Sequence, residues 1–177
     1  QVGMGAAGIG IARLLKAYGV RRLLGADLRE DSLARLAAIG GERADLATVM
    51  RDADVVIATT GVRGLIRPEW VRKGQLILAL SNPDAEIEPI QALEHGAAFA
   101  ADGKSINNVS GFPGLFKGAL EARATRFSDA MLMAAATTLS RLAGADALLP
   151  DPLDLEAHAL VAAAVRAVAS TAGGSPR

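Results

Sequence analysis

The chain alternates short apolar runs with stretches whose apolar positions recur at helical spacing, which predicts strands and helices in turn. Residues 54–59 (DVVIAT) and 75–80 (QLILAL) are apolar runs of strand length, as expected for buried strands of a parallel sheet. Further strands are predicted over 20–27 and 97–101, with a stub over 1–3. Helices are predicted over 6–18, 30–39, 46–51 and 88–95, with a single turn at 68–71. Gly19 and the Gly40-Gly41 pair supply stop signals. From Asn107 onward the character changes to a Gly/Pro loop and three helical patterns near 114–124, 129–142 and 156–169. Ser128 is the expected N-cap of the second. Strand–helix alternation of this kind predicts an α/β fold whose parallel sheet is covered on both faces.

Composition narrows the function classes. With 19 basic against 19 acidic residues, nothing draws the chain toward nucleic acid or an anionic membrane, and neither is expected as a partner. The absence of cysteine removes disulfides, thiolate nucleophiles and Cys-ligated metals, and fits a cytoplasmic protein. The apolar runs fall far short of the roughly 20 residues that span a bilayer.

Gly3-Met4-Gly5-Ala6-Ala7-Gly8 matches G-x-G-x-x-G at the start of a predicted helix. The first glycine permits a tight turn, the second lets a pyrophosphate approach the backbone, and the third lets helix and strand pack closely. A strand ending in Asp27 follows about twenty residues later, the spacing of a carboxylate on an adenosine ribose. The motif predicts a Rossmann-type, doubly wound parallel sheet with extra C-terminal helices, binding NAD or NADP. Asp27 favours NAD by repelling a 2′-phosphate, whereas Arg29 could accommodate one. Only Gln1 and Val2 precede the motif, so the first strand reads as truncated and the chain as a fragment. One dinucleotide-binding domain is expected over 1–172, with a flexible tail over 173–177.

In an open parallel sheet, ligands collect beyond the carboxyl ends of the strands. Those ends carry Thr59-Thr60-Gly61, Ser81-Asn82-Pro83, and Asp102-Gly103-Lys104-Ser105 followed by Asn107-Asn108. Their uncharged hydrogen-bonding side chains suit a nicotinamide amide, a ribose or a small hydroxy acid, although Asn and Asp also serve simply as turn formers. The expected cofactor-binding set is Gly3, Gly5, Ala6, Ala7, Gly8, Asp27, Thr60, Gly61, Ser81, Asn82 and Asn107.

The segments GMGAAGIGIARLL, ADVVIATTG, LILALSNPDAEI and NNVSGFPGLFKGALEARAT resemble, in order and character, the NAD-binding domain of malic enzymes. The resemblance extends through FSDAMLMAAATTLSRLA and LPDPLD. It implies oxidation of L-malate at C2 by a nicotinamide cofactor, then decarboxylation to pyruvate and CO₂. It places Asn82 near nicotinamide and malate, and Asn108 on the malate carboxylate. The stretch from Asp27 to Asp54 and the loop from Gly103 to Asn107 are shorter than the family usually has. The second shortening weakens the transfer of a role to Asn108.

The resemblance also implies that the general base, the general acid and the ligands for Mg²⁺ or Mn²⁺ lie upstream, in an N-terminal catalytic domain absent from this sequence. It further implies a homo-oligomer. Tyr18, the single tyrosine, reads as packing at the end of the first helix. Lys104 reads as a loop charge, and His95 and His158 as surface or capping residues. One positioned acid or base supplies roughly 10²–10⁴ in rate, so the isolated chain is expected not to turn malate over. A malolactic-type enzyme and a non-catalytic nucleotide-binding module are the alternatives.

Overall fold

The computed structural model describes residues 1–106, 108–144 and 147–172; the expected tail at 173–177 lies outside them. The chain forms two compact units, Gln1–Ile106 and Asn107–Arg177, and the boundary between them in the sequence falls where strand–helix alternation gives way to helices.

In the first unit β1 (Leu24–Gly25) pairs in parallel with β2 (Glu42–Arg43), and β3 (Val55–Ala58), β4 (Leu76–Ala79) and β5 (Phe99–Asp102) form a second parallel set. The two sets are joined by the opening residues. Val2 bridges Ala26 on one side and Ala58 on the other, with Gly3 N donating to Ala26 O and Thr59 N to Val2 O. The order across the sheet is therefore β2, β1, the opening segment, β3, β4, β5. This is the doubly wound order, in which all strands run parallel and the order of their addition reverses beside the central strand.

Helices α1 (Ala6–Tyr18), α2 (Glu30–Ala38), α3 (Leu46–Asp52) and α4 (Pro89–Glu94) pack on this sheet. Met4, Ala12, Leu23 and Leu36 form one buried cluster beneath α1 and α2. A larger one joins Val56, Ala58, Ile77 and Ala79 to Val49 and Met50 of α3 and Ala92 of α4. α1 ends where expected because Gly19 takes the left-handed conformation (φ 103°) and returns its N–H to Leu15 and Lys16 carbonyls. α3 is capped by Asp45, whose Oδ1 accepts from Thr48 N at 2.7 Å.

Two differences from expectation have simple causes. The strand expected over 20–27 narrows to Leu24–Gly25 because its neighbour pairs only there, Leu24 opposite Glu42 and Gly25 opposite Arg43. β2 itself carries no hydrophobic signal: both residues are exposed and charged, as suits an edge strand. Tyr18 corrects the packing expectation, since it is 73% exposed.

The second unit is helical: α5 (Phe112–Glu121), α6 (Asp129–Leu142) and α7 (Leu155–Ala172). Met131, Ala135, Leu139, Val161 and Val165 are buried between them. Ser128 caps α6 as expected, its Oγ accepting from Met131 N. Gly114 and Gly118 bring α5 onto α7: a Cβ there would lie 2.7 Å from His158 O and 2.4 Å from Ala162 O respectively.

Candidate dinucleotide-binding site

The three glycines of the opening motif do three different things. Gly3 has φ 81°, and a Cβ there would press on the Thr59 carbonyl at 2.8 Å. Gly8 packs α1 against the turn so tightly that a Cβ would lie 1.9 Å from Gly3 O. Gly5 is the opposite case: a Cβ there would meet nothing within 4 Å. It is the N-cap of α1, and no side chain caps that end. The N-terminal end of α1, with Ala6 and Ala7 in its first turn, is therefore uncapped by any side chain and open beside Gly5, with the positive end of the helix dipole behind it.

Asp27 faces this turn from the end of the neighbouring strand. Its Oδ2 accepts from Met4 N at 2.6 Å and its Oδ1 from Arg29 N at 2.8 Å. Desolvation pushes the carboxyl upward, but the amides of Arg29 and Met4 and the Arg29 charge outweigh it, leaving the pKa below the ordinary 3.8. Arg29 is held by its own helix. Its Nε and Nη2 donate to Ser32 Oγ at 3.2 and 2.9 Å, and Asp31 lies 3.8 Å away.

Gly3, Gly5 and Asp27 line a cavity of about 620 Å³ whose other walls include Ala44, Leu46, Val62 and Leu65. Thr59 and Thr60 also line it. Its size is within the roughly 300–1,000 Å³ of ordinary ligand sites. An apolar slot beside an acidic side chain and open helix amides suits an aromatic base, a sugar diol and a pyrophosphate.

The registers of β3, β4 and β5 place Ala58, Ala79 and Asp102 level, so the loops that follow them leave along one edge. On that edge the structure adds a residue that the sequence reading missed. Glu86 is fully buried, and its Oε1 accepts from Thr60 N at 2.5 Å, Thr60 Oγ1 at 2.8 Å and Ser81 Oγ at 2.6 Å. Gly61 N in turn donates to Ser81 Oγ at 2.8 Å. Thr60, Gly61 and Ser81 thus form one hydrogen-bonded group. Desolvation raises the Glu86 pKa, but the bonds from Ser81 and Thr60 overcome it and hold the group below the ordinary 4.5. In the sequence Glu86 is one of three alternating acids, with Asp84 and Glu88, and nothing there marks it as the buried one.

Asn82 follows Ser81 and is exposed. Asn108 begins a 3₁₀ turn (Asn108–Ser110) in the second unit, while Asn107 lies outside the described residues. Asp102 closes its own turn, with Oδ1 accepting from Ser105 N at 2.8 Å and Ser105 Oγ at 2.6 Å. Lys104 is exposed beside it. His95 caps α4 through Gln91 O, and His158 contacts Pro152 O. Among the described residues no three of His, Asp and Glu are grouped to hold a metal.

No family model matches the chain. Against individual proteins the likeness is extensive. The chain is 51% identical over 173 residues to NAD-dependent malic enzyme 1 of Bacillus subtilis, covering 97% of this chain and 39% of that protein. It is 34% identical over 198 residues to the bifunctional malic/malolactic enzyme of the same organism, covering 97% of this chain and 48% of that one. The crystal structure of malic enzyme from Pyrococcus horikoshii superposes with a TM-score of 0.85 at 29% identity, over 97% of this chain and 47% of that one. The chain belongs to the malic enzyme family. The malic enzyme from Thermotoga maritima, described as NAD-dependent, gives a TM-score of 0.82 at 30% identity over 93% of this chain. The chain spans between about two fifths and half the length of these malic enzymes.

Proposed function

We propose that this chain is the nicotinamide-dinucleotide-binding part of a malic enzyme, and that NAD is its preferred cofactor over NADP. The observation that carries this reading is the pairing of Gly5, open to a ligand, with Asp27 across one cavity. Gly3, Gly5, Ala6, Ala7 and Gly8 would hold the pyrophosphate on main-chain amides. Asp27 would accept from the adenosine ribose hydroxyls, with adenine against Leu46, Val62 and Leu65. When bound, the nicotinamide supplies the hydride acceptor for oxidation of L-malate.

The preference for NAD follows from Asp27, whose lowered pKa keeps it a carboxylate that repels a 2′-phosphate, while the Arg29 guanidinium is turned to Ser32 and Asp31 of its own helix. Titration calorimetry with NAD and NADP tests this. NAD should bind about tenfold or more tighter, a difference of roughly 1.4 kcal/mol, and Asp27→Asn should bring the two dissociation constants together. Absence of measurable binding by either coenzyme would overturn the reading.

Within the same reading, the complete protein converts L-malate to pyruvate and CO₂ as a cytoplasmic homo-oligomer, with Asn82, in the loop after β4, on the substrate side. Among the described residues no three of His, Asp and Glu are grouped to hold Mg²⁺ or Mn²⁺, and this reading assigns that ion and the acid–base groups to the upstream catalytic domain that the resemblance implies. The 34% likeness to a bifunctional malic/malolactic enzyme supports a second outcome, release of lactate. Identification of pyruvate or lactate as the product of the complete protein separates them.

A further inference from the structure

A hydroxyl has one proton to give, and a buried carboxylate dictates where it goes. A side chain such as Thr or Ser can donate once and accept twice. Glu86 Oε1 receives both the Thr60 and the Ser81 hydroxyls, at 2.8 and 2.6 Å. The charge is buried completely, and an ionised carboxylate offers only lone pairs, so both hydroxyls must point their protons inward. Each then accepts a main-chain N–H from the loop after β3: Gly61 N to Ser81 Oγ at 2.8 Å and Val62 N to Thr60 Oγ1 at 3.1 Å. One lone pair remains on each hydroxyl. Both side chains are half-exposed, and Thr60 lines the cavity. The edge therefore shows hydrogen-bond acceptors to a ligand and no hydroxyl donor from these two residues. The second carboxylate oxygen of Glu86 is itself buried, so the acceptors that reach the surface of this edge are the Thr60 and Ser81 hydroxyls.

We infer that Glu86 is a positioning residue that fixes Thr60 and Ser81 as acceptors, so that this edge takes the N–H₂ of the cofactor's carboxamide and rejects a carboxylate in its place. The inference rests on the dinucleotide reading above and refines it by assigning chemistry to the nicotinamide end. A ribose hydroxyl can rotate to suit either partner, whereas a carboxamide N–H₂ only donates and a carboxylate only accepts. The carboxamide is therefore the group whose replacement this edge detects.

The test compares three ligands on the purified protein: NAD, its nicotinic-acid analogue (deamido-NAD) and ADP-ribose, which lacks the ring. Wild type should bind NAD about tenfold or more tighter than deamido-NAD, because an acceptor set against acceptors leaves both unpaired. Glu86→Met frees both hydroxyl protons to turn outward, and should bring the two affinities to within about threefold. Glu86→Gln keeps an acceptor oxygen facing Thr60 and Ser81 and should retain most of the preference. ADP-ribose should bind all three proteins alike. Equal binding of NAD and deamido-NAD by wild type overturns the proposal without recourse to any variant. A loss in Glu86→Met shared by ADP-ribose also overturns it, since the role would then be general support of the fold. Failure of wild type to bind ADP-ribose would instead remove the dinucleotide reading itself, and the proposal with it.

Discussion

In the first unit Gly8 lets a helix press on a strand-end turn, while in the second Gly114 and Gly118 let one helix press on another. The local geometry is similar, with a missing Cβ admitting a carbonyl oxygen. What the close approach achieves is different. At Gly8 it holds the N-cap of α1, Gly5, at the wall of a cavity, so on the proposed reading packing and binding share one contact. At Gly118 it closes a helix pair whose buried partners are Val161 and Val165, where packing is the whole effect. Gly5 separates the two roles inside the first unit, because it leaves room and packs against nothing.

The largest break in this comparison should come from Gly8→Ala. The new methyl would meet backbone at 1.9 Å, which cannot yield without unmaking the Gly3 turn. We expect a loss of about 3 kcal/mol or more in denaturant titrations, at the upper end for overpacking, together with loss of detectable coenzyme binding. Retention of wild-type affinity would mean that the turn is not what presents the amides. Gly118→Ala should cost about 2–3 kcal/mol by the same measurement, with the NAD dissociation constant unchanged in the folded protein. A parallel fall in affinity would show that the second unit shapes the dinucleotide site.

Gly5→Ala sharpens the contrast from the other side. Its backbone (φ −66°, ψ −165°) suits alanine, and no neighbour is close. Stability should hold or rise by about 0.5 kcal/mol, while NAD affinity drops about tenfold as the methyl occupies the pyrophosphate's approach. A stable variant that still binds normally would remove Gly5 from the site. The smallest effect concerns acid. Asp27, Glu86 and Asp102, all in the first unit, have pKa values below their ordinary 3.8 or 4.5. Groups lowered on folding stabilise above the unfolded value and cease to do so as pH falls through the folded one. Hydrogen exchange should show the first unit loosening below about pH 4.5 relative to the second; equal loosening would disconnect these carboxylates from stability.

The elements that the sequence revealed fully are those with chemistry at both ends. α1 runs from the glycine motif to Gly19 and α6 begins at Ser128, and both are found at their expected bounds. β2 was illegible because its two residues are charged and exposed, so its pairing with β1 leaves no hydrophobic pattern in the sequence. The glycine turn and Asp27 could be read because their spacing is local to one strand–helix–strand unit. Glu86 could not: its role depends on the convergence of two loops, and its neighbours in sequence include two other acids with the same local appearance. The division of the chain at Ile106 coincides with the change from strands to helices, yet periodicity does not say whether such helices join the preceding core or form their own.

The lone indole of the chain, Trp70, packs against the larger core cluster of the first unit with the Arg67 guanidinium 5.1 Å from its ring centroid, and the lone tyrosine is Tyr18. Near-ultraviolet light therefore sees half of this molecule: intrinsic fluorescence follows the sheet, while the helical unit, whose aromatic rings are all phenylalanine, is nearly dark. A heating curve recorded by fluorescence beside one recorded by circular dichroism at a helical wavelength would report, without any label, whether the two units melt together or apart.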